Sequence, residues 1–352
     1  MVMADRAEVT TAPAAITAID TAGLAGQMLG ALARVPFRAP WRGPSTWSAN
    51  VGTAVTREVV RSFMGYSTSL PIEEFRSIER VLDGLCKVVM PPAVRAQDVT
   101  TEAATVNGVP GVWYRPRSTE PIATILYLHG GGYIGTSPTM YAAFTAGLAR
   151  ACSSEIFVAD YRLAPEFPFP AGVEDATAVI TGLVESGTDP ARLLIAGDSG
   201  GGGLSCSVMY FLRQRDHPRV GGTILFSPEV YLGFDKPSIV ENAPHDILPW
   251  NIPTQAYVLG TDVRSESVNA LAQDVSGWPP TFITYGGKEM LRDQIEAFVA
   301  HLSEGGVDTE SFVDPEMFHV FPIVAPWADS SRRLSGELAR FVARVAGGGN
   351  PR

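Results

Sequence analysis

The chain has 352 residues, 45% of them hydrophobic and 18% charged, which is the balance of a folded protein with a large core and not of a disordered chain. Its 37 acidic against 27 basic side chains give a net charge of −10, which argues against nucleic-acid binding through bulk charge. Three scattered cysteines, Cys86, Cys152 and Cys206, lack metal-ligand spacing and read as reduced thiols of a cytoplasmic protein.

The amino end has no basic region leading straight into an apolar run, so no secretory signal is expected. Residues 14–32 carry helical spacing at Ile16, Ile19, Leu24, Met28 and Leu32, interrupted by Asp20 and Gln27. That pattern predicts a packed helix and no stable membrane insertion. After a Pro/Trp-rich break at 36–44, amphipathic helices are expected at 56–64 and 72–89, and Pro91-Pro92 marks a boundary. From residue 96 the period becomes two: strands at 97–106 and 111–115 join through a turn at Asn107-Gly108. Continuous apolar runs follow at 123–128, 155–159, 193–196, 223–226 and 281–285, the pattern of parallel strands buried on both faces. Helical stretches at 140–151, 172–185, 202–215, 291–305 and 328–345 alternate with most of them, so the fold class is α/β. Residues 227–278 interrupt this alternation with a long Pro-rich insert.

Three motifs carry chemistry. Gly197-Asp198-Ser199-Gly200-Gly201 lies between an apolar run and a helical pattern, so its lone serine stands at the apex of a strand–turn–helix elbow. Such a turn exposes Oγ, and the helix that follows aims its first amides at a developing oxyanion. A serine hydroxyl becomes a nucleophile only when a histidine takes its proton and an acid holds the imidazole. Of five histidines, His319 lies after the last expected strand, 309–313, in an apolar setting, and is the candidate base. The acid belongs after 281–285, where Glu289 is in the loop and Asp293 one helical turn further on; Glu289 is preferred and Asp293 is the alternative. His129-Gly130-Gly131-Gly132 follows the run 123–128, where successive glycines let backbone amides turn inward. Gly130, Gly132 and Gly135 also match a dinucleotide fingerprint, but Pro138 delays the helix that this motif requires.

Together with Tyr161-Arg162-Leu163-Ala164-Pro165-Glu166 and Phe318-His319-Val320-Phe321, these motifs resemble the hormone-sensitive-lipase-like branch of the α/β-hydrolases. The resemblance runs from about residue 96 to the carboxyl end. It implies the α/β-hydrolase fold, a mostly parallel eight-stranded sheet flanked by helices under a helical cap. Residues 1–92 would be the N-terminal cap region and 93–352 the catalytic domain, with the insert 227–278 contributing to the cap. Carried over by position, Ser199 is the nucleophile, His319 the base, and the amides of Gly131, Gly132 and Gly200 form the oxyanion hole. His129, Gly130 and Asp198 are supporting residues. The chain departs from the branch at the acid, with Glu289-Met290-Leu291 where Asp-Pro-Leu is usual.

The expected function is serine carboxylesterase action on short- to medium-chain esters through an acyl-enzyme. This chemistry needs no metal and no organic cofactor. The alternatives are acyl transfer or amide/lactone hydrolysis on the same triad. A different class is a non-catalytic binding protein, disfavoured because Ser199 and His319 are both present. The expected partner is a small ester, with no nucleic acid and a homodimer left open.

Overall fold

The computed structural model describes residues 9–43, 45–214, 219–249 and 254–347. Helices α1 (Ala14–Arg34), α2 (Trp47–Ser67), α3 (Ile72–Val89) and the single turn α4 (Pro91–Arg95) come first. Helix α2 starts well before residue 56 because Thr46 caps it, its side chain accepting from the Ala49 N–H at 3.3 Å. Helix α3 ends at Val89, and Pro91 and Pro92 open α4, at the positions where a missing N–H costs nothing.

The eight strands are β1 (Val99–Val106), β2 (Val109–Pro116), β3 (Thr124–Leu128), β4 (Glu155–Ala159), β5 (Leu193–Asp198), β6 (Gly222–Phe226), β7 (Thr281–Gly286) and β8 (Thr309–Asp314). They form one sheet in the order β1-β2-β4-β3-β5-β6-β7-β8. The pairs β1–β2 and β2–β4 are antiparallel, and the rest of the sheet is parallel. This is the expected fold.

Between and after the strands lie α5 (Ala142–Ala151), α6 (Ala171–Glu185), α7 (Ser199–Gln214), α8 (Ser238–Glu241) and α9 (Thr254–Val258). The last helices are α10 (Arg292–Glu304), α11 (Phe321–Val324) and α12 (Asp329–Ala346). Successive side chains of a strand point to opposite faces, so each central strand feeds two cores. Leu126, Ile195, Leu225 and Ile283 pack with α6, α7 and α10, while Ile125, Leu194, Ile224 and Phe282 pack with α5 and α12. The parallel strands end at one rim, and the loops leaving it carry the residues of interest.

Residues Ala14–Arg38 are long and apolar enough to cross a bilayer by length and composition, and 17% of the most apolar 18-residue window is buried. Asp20, expected to interrupt it, is buried, while Ile16, Ile19, Leu29 and Leu32 are exposed. The layer of α1–α3 is tied to the sheet by Arg76. Its guanidinium pairs with Glu79 at 2.6 Å and Glu166 at 2.7 Å and donates to the carbonyls of Ile134 and Ala164.

Candidate active site

The elbow is sharp. Strand β5 ends at Asp198, α7 begins at Ser199, and Ser199 takes the left-handed conformation with φ +53°. That conformation is strained for a serine and lifts its side chain off the strand end. A Cβ on Gly201 would run into the carbonyls of Leu128 and His129, so only glycine lets the elbow sit against the loop after β3.

Three side chains from three loops meet there. Ser199 Oγ lies 2.8 Å from His319 Nε2, and His319 Nδ1 lies 2.9 Å from a Glu289 carboxylate oxygen. His319 follows β8 and Glu289 follows β7, both effectively buried. Asp293 goes elsewhere: its carboxylate takes the Arg292 guanidinium at 2.7 Å and the Ser238 N–H at 2.9 Å. Burial raises the pKa of the Glu289 carboxyl, against the pull of the Gly286 N–H and the Ser227 hydroxyl. Burial lowers the His319 imidazole, while the charges of Asp246 and Asp198 act the other way. With the ring neutral, one proton between Nδ1 and the Glu289 carboxylate leaves Nε2 a free lone pair toward Ser199.

The glycine loop faces the elbow from the other side. Gly131 and Gly132 have φ +110° and +61°, and Gly200 is so close to Gly132 and the Tyr133 N–H that a Cβ there would crowd both. The backbones of the glycine loop and of the start of α7 thus meet beside Ser199. The literal dinucleotide match at Gly130, Gly132 and Gly135 fails in three dimensions, because the next α-helix starts only at Ala142. His129 is buried under this loop, stacked on Tyr161 at 4.5 Å, with Nδ1 2.8 Å from the Thr136 hydroxyl. Asp198 joins elbow and loop: its carboxylate accepts from the Gly130 N–H at 2.9 Å and from the Tyr127 and Tyr141 hydroxyls, both at 2.8 Å. Burial still pushes it up to about 6.

His301 Nε2 bonds the carbonyl of Gln273 at 2.8 Å, His245 is in the insert, and His217 lies outside the described residues. Among the described residues no three His, Cys, Asp or Glu side chains are grouped to hold a metal ion.

Sequence reasoning missed two residues. Asp246, in the insert, is fully buried and accepts from the N–H groups of Ile247, Met290 and His319 at 2.7, 2.6 and 2.9 Å. Ser227 donates to Glu289 at 3.0 Å and accepts from the Val320 N–H at 3.0 Å. The one signal available was position: Ser227 directly follows β6 at the rim.

A cavity of about 220 Å³ opens over Ser199 and His319. Its walls are mostly apolar: Phe63, Met64, Phe75 and Leu82 from the N-terminal helices, Ile247 and Leu248 from the insert, Val320 and Ile323 from the segment after β8. Glu79, Asp198 and Glu229 are its acidic members.

A sequence model of a family described as alpha/beta hydrolase fold matches residues 125–323. An acetyl-hydrolase of Streptomyces hygroscopicus is 31% identical over 252 residues, 70% of this chain and 84% of that one. Carboxylesterase NlhH of Mycobacterium tuberculosis is 30% identical over 253 residues, 67% of this chain and 79% of its own length. Among solved structures, an esterase from the bacterial hormone-sensitive lipase family superposes with a TM-score of 0.73 at 28% identity, covering 83% of this chain and 98% of that one. A mutant of esterase E40 gives a TM-score of 0.74 at 28% identity over 83% and 99% of the two chains.

Proposed function

Since the chain belongs to the α/β-hydrolase fold family, in its hormone-sensitive-lipase-like branch, and is an ester hydrolase, we propose that it works through an acyl-enzyme on Ser199. The observation that carries this reading is the unbroken line of contacts from Ser199 Oγ through His319 to Glu289, at 2.8 and 2.9 Å, beneath an apolar cavity. Ser199 Oγ attacks the ester carbonyl while His319 Nε2 takes its proton. Glu289 holds the ring and stabilises the imidazolium that forms. The amides of Gly131, Gly132 and Gly200 receive the oxyanion, each donor being worth about 10²–10³ in rate. His319 then returns the proton to the leaving alcohol, and a water repeats the attack on the acyl-enzyme. Asp198 and Asp246 position the glycine loop and the histidine loop.

Residues 1–92 act as a cap over the 93–352 catalytic domain, joined by the insert 227–278. The support is the cavity wall, to which α2, α3 and the insert all contribute. Its volume of about 220 Å³ is below the roughly 300–1,000 Å³ of usual small-molecule sites, which favours short acyl chains. A series of p-nitrophenyl esters from acetyl to palmitoyl, run with wild type and Ser199→Ala, tests both parts. Hydrolysis is expected to peak at short chains and to vanish in the variant, and fluorophosphonate is expected to label wild type alone. Activity surviving in Ser199→Ala would overturn the nucleophile assignment, and a rate rising steadily past decanoyl would overturn the chain-length reading.

A further inference from the structure

One polar group in the cavity wall has no place in the acyl-transfer chemistry. Glu229 stands just past β6, and its N–H donates to the Ser199 carbonyl at 3.0 Å, which fixes its position beside the nucleophile. It lines the same cavity as Ser199 and His319 and is 1% exposed, yet neither carboxyl oxygen has a hydrogen-bond partner. The other buried acids around the site are satisfied: Asp198, Asp246 and Glu289 each accept from three donors or more.

The polar surroundings of Glu229 are the phenols Tyr133, Tyr161 and Tyr257 and the carboxylate of Asp198. The Tyr257 ring stacks on that of Tyr133, with centroids 3.8 Å apart. Burial and the like charge of Asp198 push the Glu229 carboxyl up to about 8, so at neutral pH it is a neutral acid that can both donate and accept. An unsatisfied buried group of this kind weakens the free protein, and a ligand that completes its hydrogen bonds recovers the loss.

We propose that Glu229 is a specificity-determining residue that hydrogen-bonds a hydroxyl group of the substrate, so that hydroxylated esters are preferred over plain alkanoate esters. The proposal rests on the ester-hydrolase reading of Ser199 and deepens it. A hydroxyl fits better than an ammonium group for two reasons. The rest of the cavity wall is apolar, with Ile134, Ile247 and Leu248, and the Asp198 carboxylate is already taken by three donors, so a cation would lose its water with little compensation. A neutral acid and a hydroxyl, by contrast, each give one donor and one acceptor to the other.

The test is kcat/KM on matched pairs, with Glu229→Leu and Glu229→Gln beside wild type. The acyl side is probed with p-nitrophenyl butyrate against its 3-hydroxybutyrate, the alcohol side with ethyl against 2-hydroxyethyl butyrate. Wild type is expected to prefer the hydroxylated member of one pair by about tenfold or more, since a site built for a hydroxyl discriminates against analogues that lack it. Glu229→Leu should lose that preference and unfold at a higher temperature, and Glu229→Gln should keep part of it. The same ratio in wild type and Glu229→Leu for both pairs, with activity present, would overturn the proposal alone. So would a Glu229→Leu variant that melts lower and slows both members equally, the mark of a purely structural acid. Failure of wild type to hydrolyse butyrate esters or to take up fluorophosphonate would bring down the ester-hydrolase reading and this proposal with it.

Discussion

Along the rim of β5 to β8, the polar side chains that surround Ser199, Glu229 excepted, are held by one another and by backbone amides. Asp198 bonds Gly130, Tyr127 and Tyr141, Asp246 bonds His319 and Met290, and Ser227 bonds Glu289 and Val320. Across the cavity, α2 and α3 face the same space with Phe63, Met64, Phe75 and Leu82, and one buried cation, Arg76, joins that layer to Glu166 and to the carbonyls of Ile134 and Ala164. The rim is thus fixed by directional bonds, whereas the helical layer meets the cavity with apolar side chains and is bonded at its edges, with Arg61 donating to the carbonyls of Ala243 and Asp246 and Asp83 accepting from the Ser137 hydroxyl. Directional bonds suit the few atoms that must meet within a fraction of an ångström, whereas apolar packing tolerates a change of shape and so suits the part that selects substrates.

The largest effects should come from the rim. Ser199→Ala and His319→Ala are each expected to lower kcat by about 10⁴-fold or more, and the double variant should be no slower than the worse single one, because the two work as a unit. Additive losses would show that rim and layer do not differ in this respect.

Glu289→Ala should cost about 10³–10⁴ in kcat with the melting temperature little changed, since the histidine loses the group that orients it. Asp293→Ala, which removes a tie between α10 and the insert, should leave kcat within a few-fold and lower stability slightly. Reversed phenotypes would reassign the acid.

The helical layer should respond in stability and selectivity. Arg76→Ala leaves Glu79, at 18% side-chain exposure, without its cation, so a loss of about 3–5 kcal/mol is expected in urea unfolding. KM should rise more than kcat falls, and acyl-chain preference should broaden. An equal fall of kcat for every ester would place Arg76 with the rim instead.

The smallest effect is on pH. Burial lowers the His319 pKa from its ordinary 6.5, so the acid limb of kcat/KM should lie below that value. A lowered pKa also means that the unfolded chain binds the proton first, so the His319 contribution to stability is present above pH 6.5 and declines as pH falls. Asp246 raises the His319 pKa, so Asp246→Asn should move the acid limb further down, along with some loss of rate from the altered loop. An upward move would contradict the assigned geometry.

Much of the rim was legible in the sequence. Continuous apolar runs mark the parallel strands because both faces are buried, and the glycine-rich turns mark places where backbones touch. The start of α7 was placed three residues late, since Gly200 to Gly203 carry little helix propensity and the helix is set there by packing against the loop after β3. Asp246 was invisible for a different reason. A carboxylate in a polar, Pro-rich segment looks solvated, and its partners Met290 and His319 are 44 and 73 residues away. Arg76 shows the same limit: it reads as one charge on an amphipathic helix, while Glu166 lies 90 residues on. Glu229, in turn, carries no periodic signal at all.

The position of Asp246 bears on how such enzymes could be recombined. It anchors the histidine loop, while the next residues, Ile247, Leu248 and Pro249, already belong to the cavity wall. The border between machinery and selector therefore falls at a single peptide bond. A chimera that replaces the whole 227–278 segment with a foreign loop would discard the acceptor for two rim amides along with the wall. A crossover placed just after Asp246 would leave that acceptor in place and let library diversity enter at 247–249.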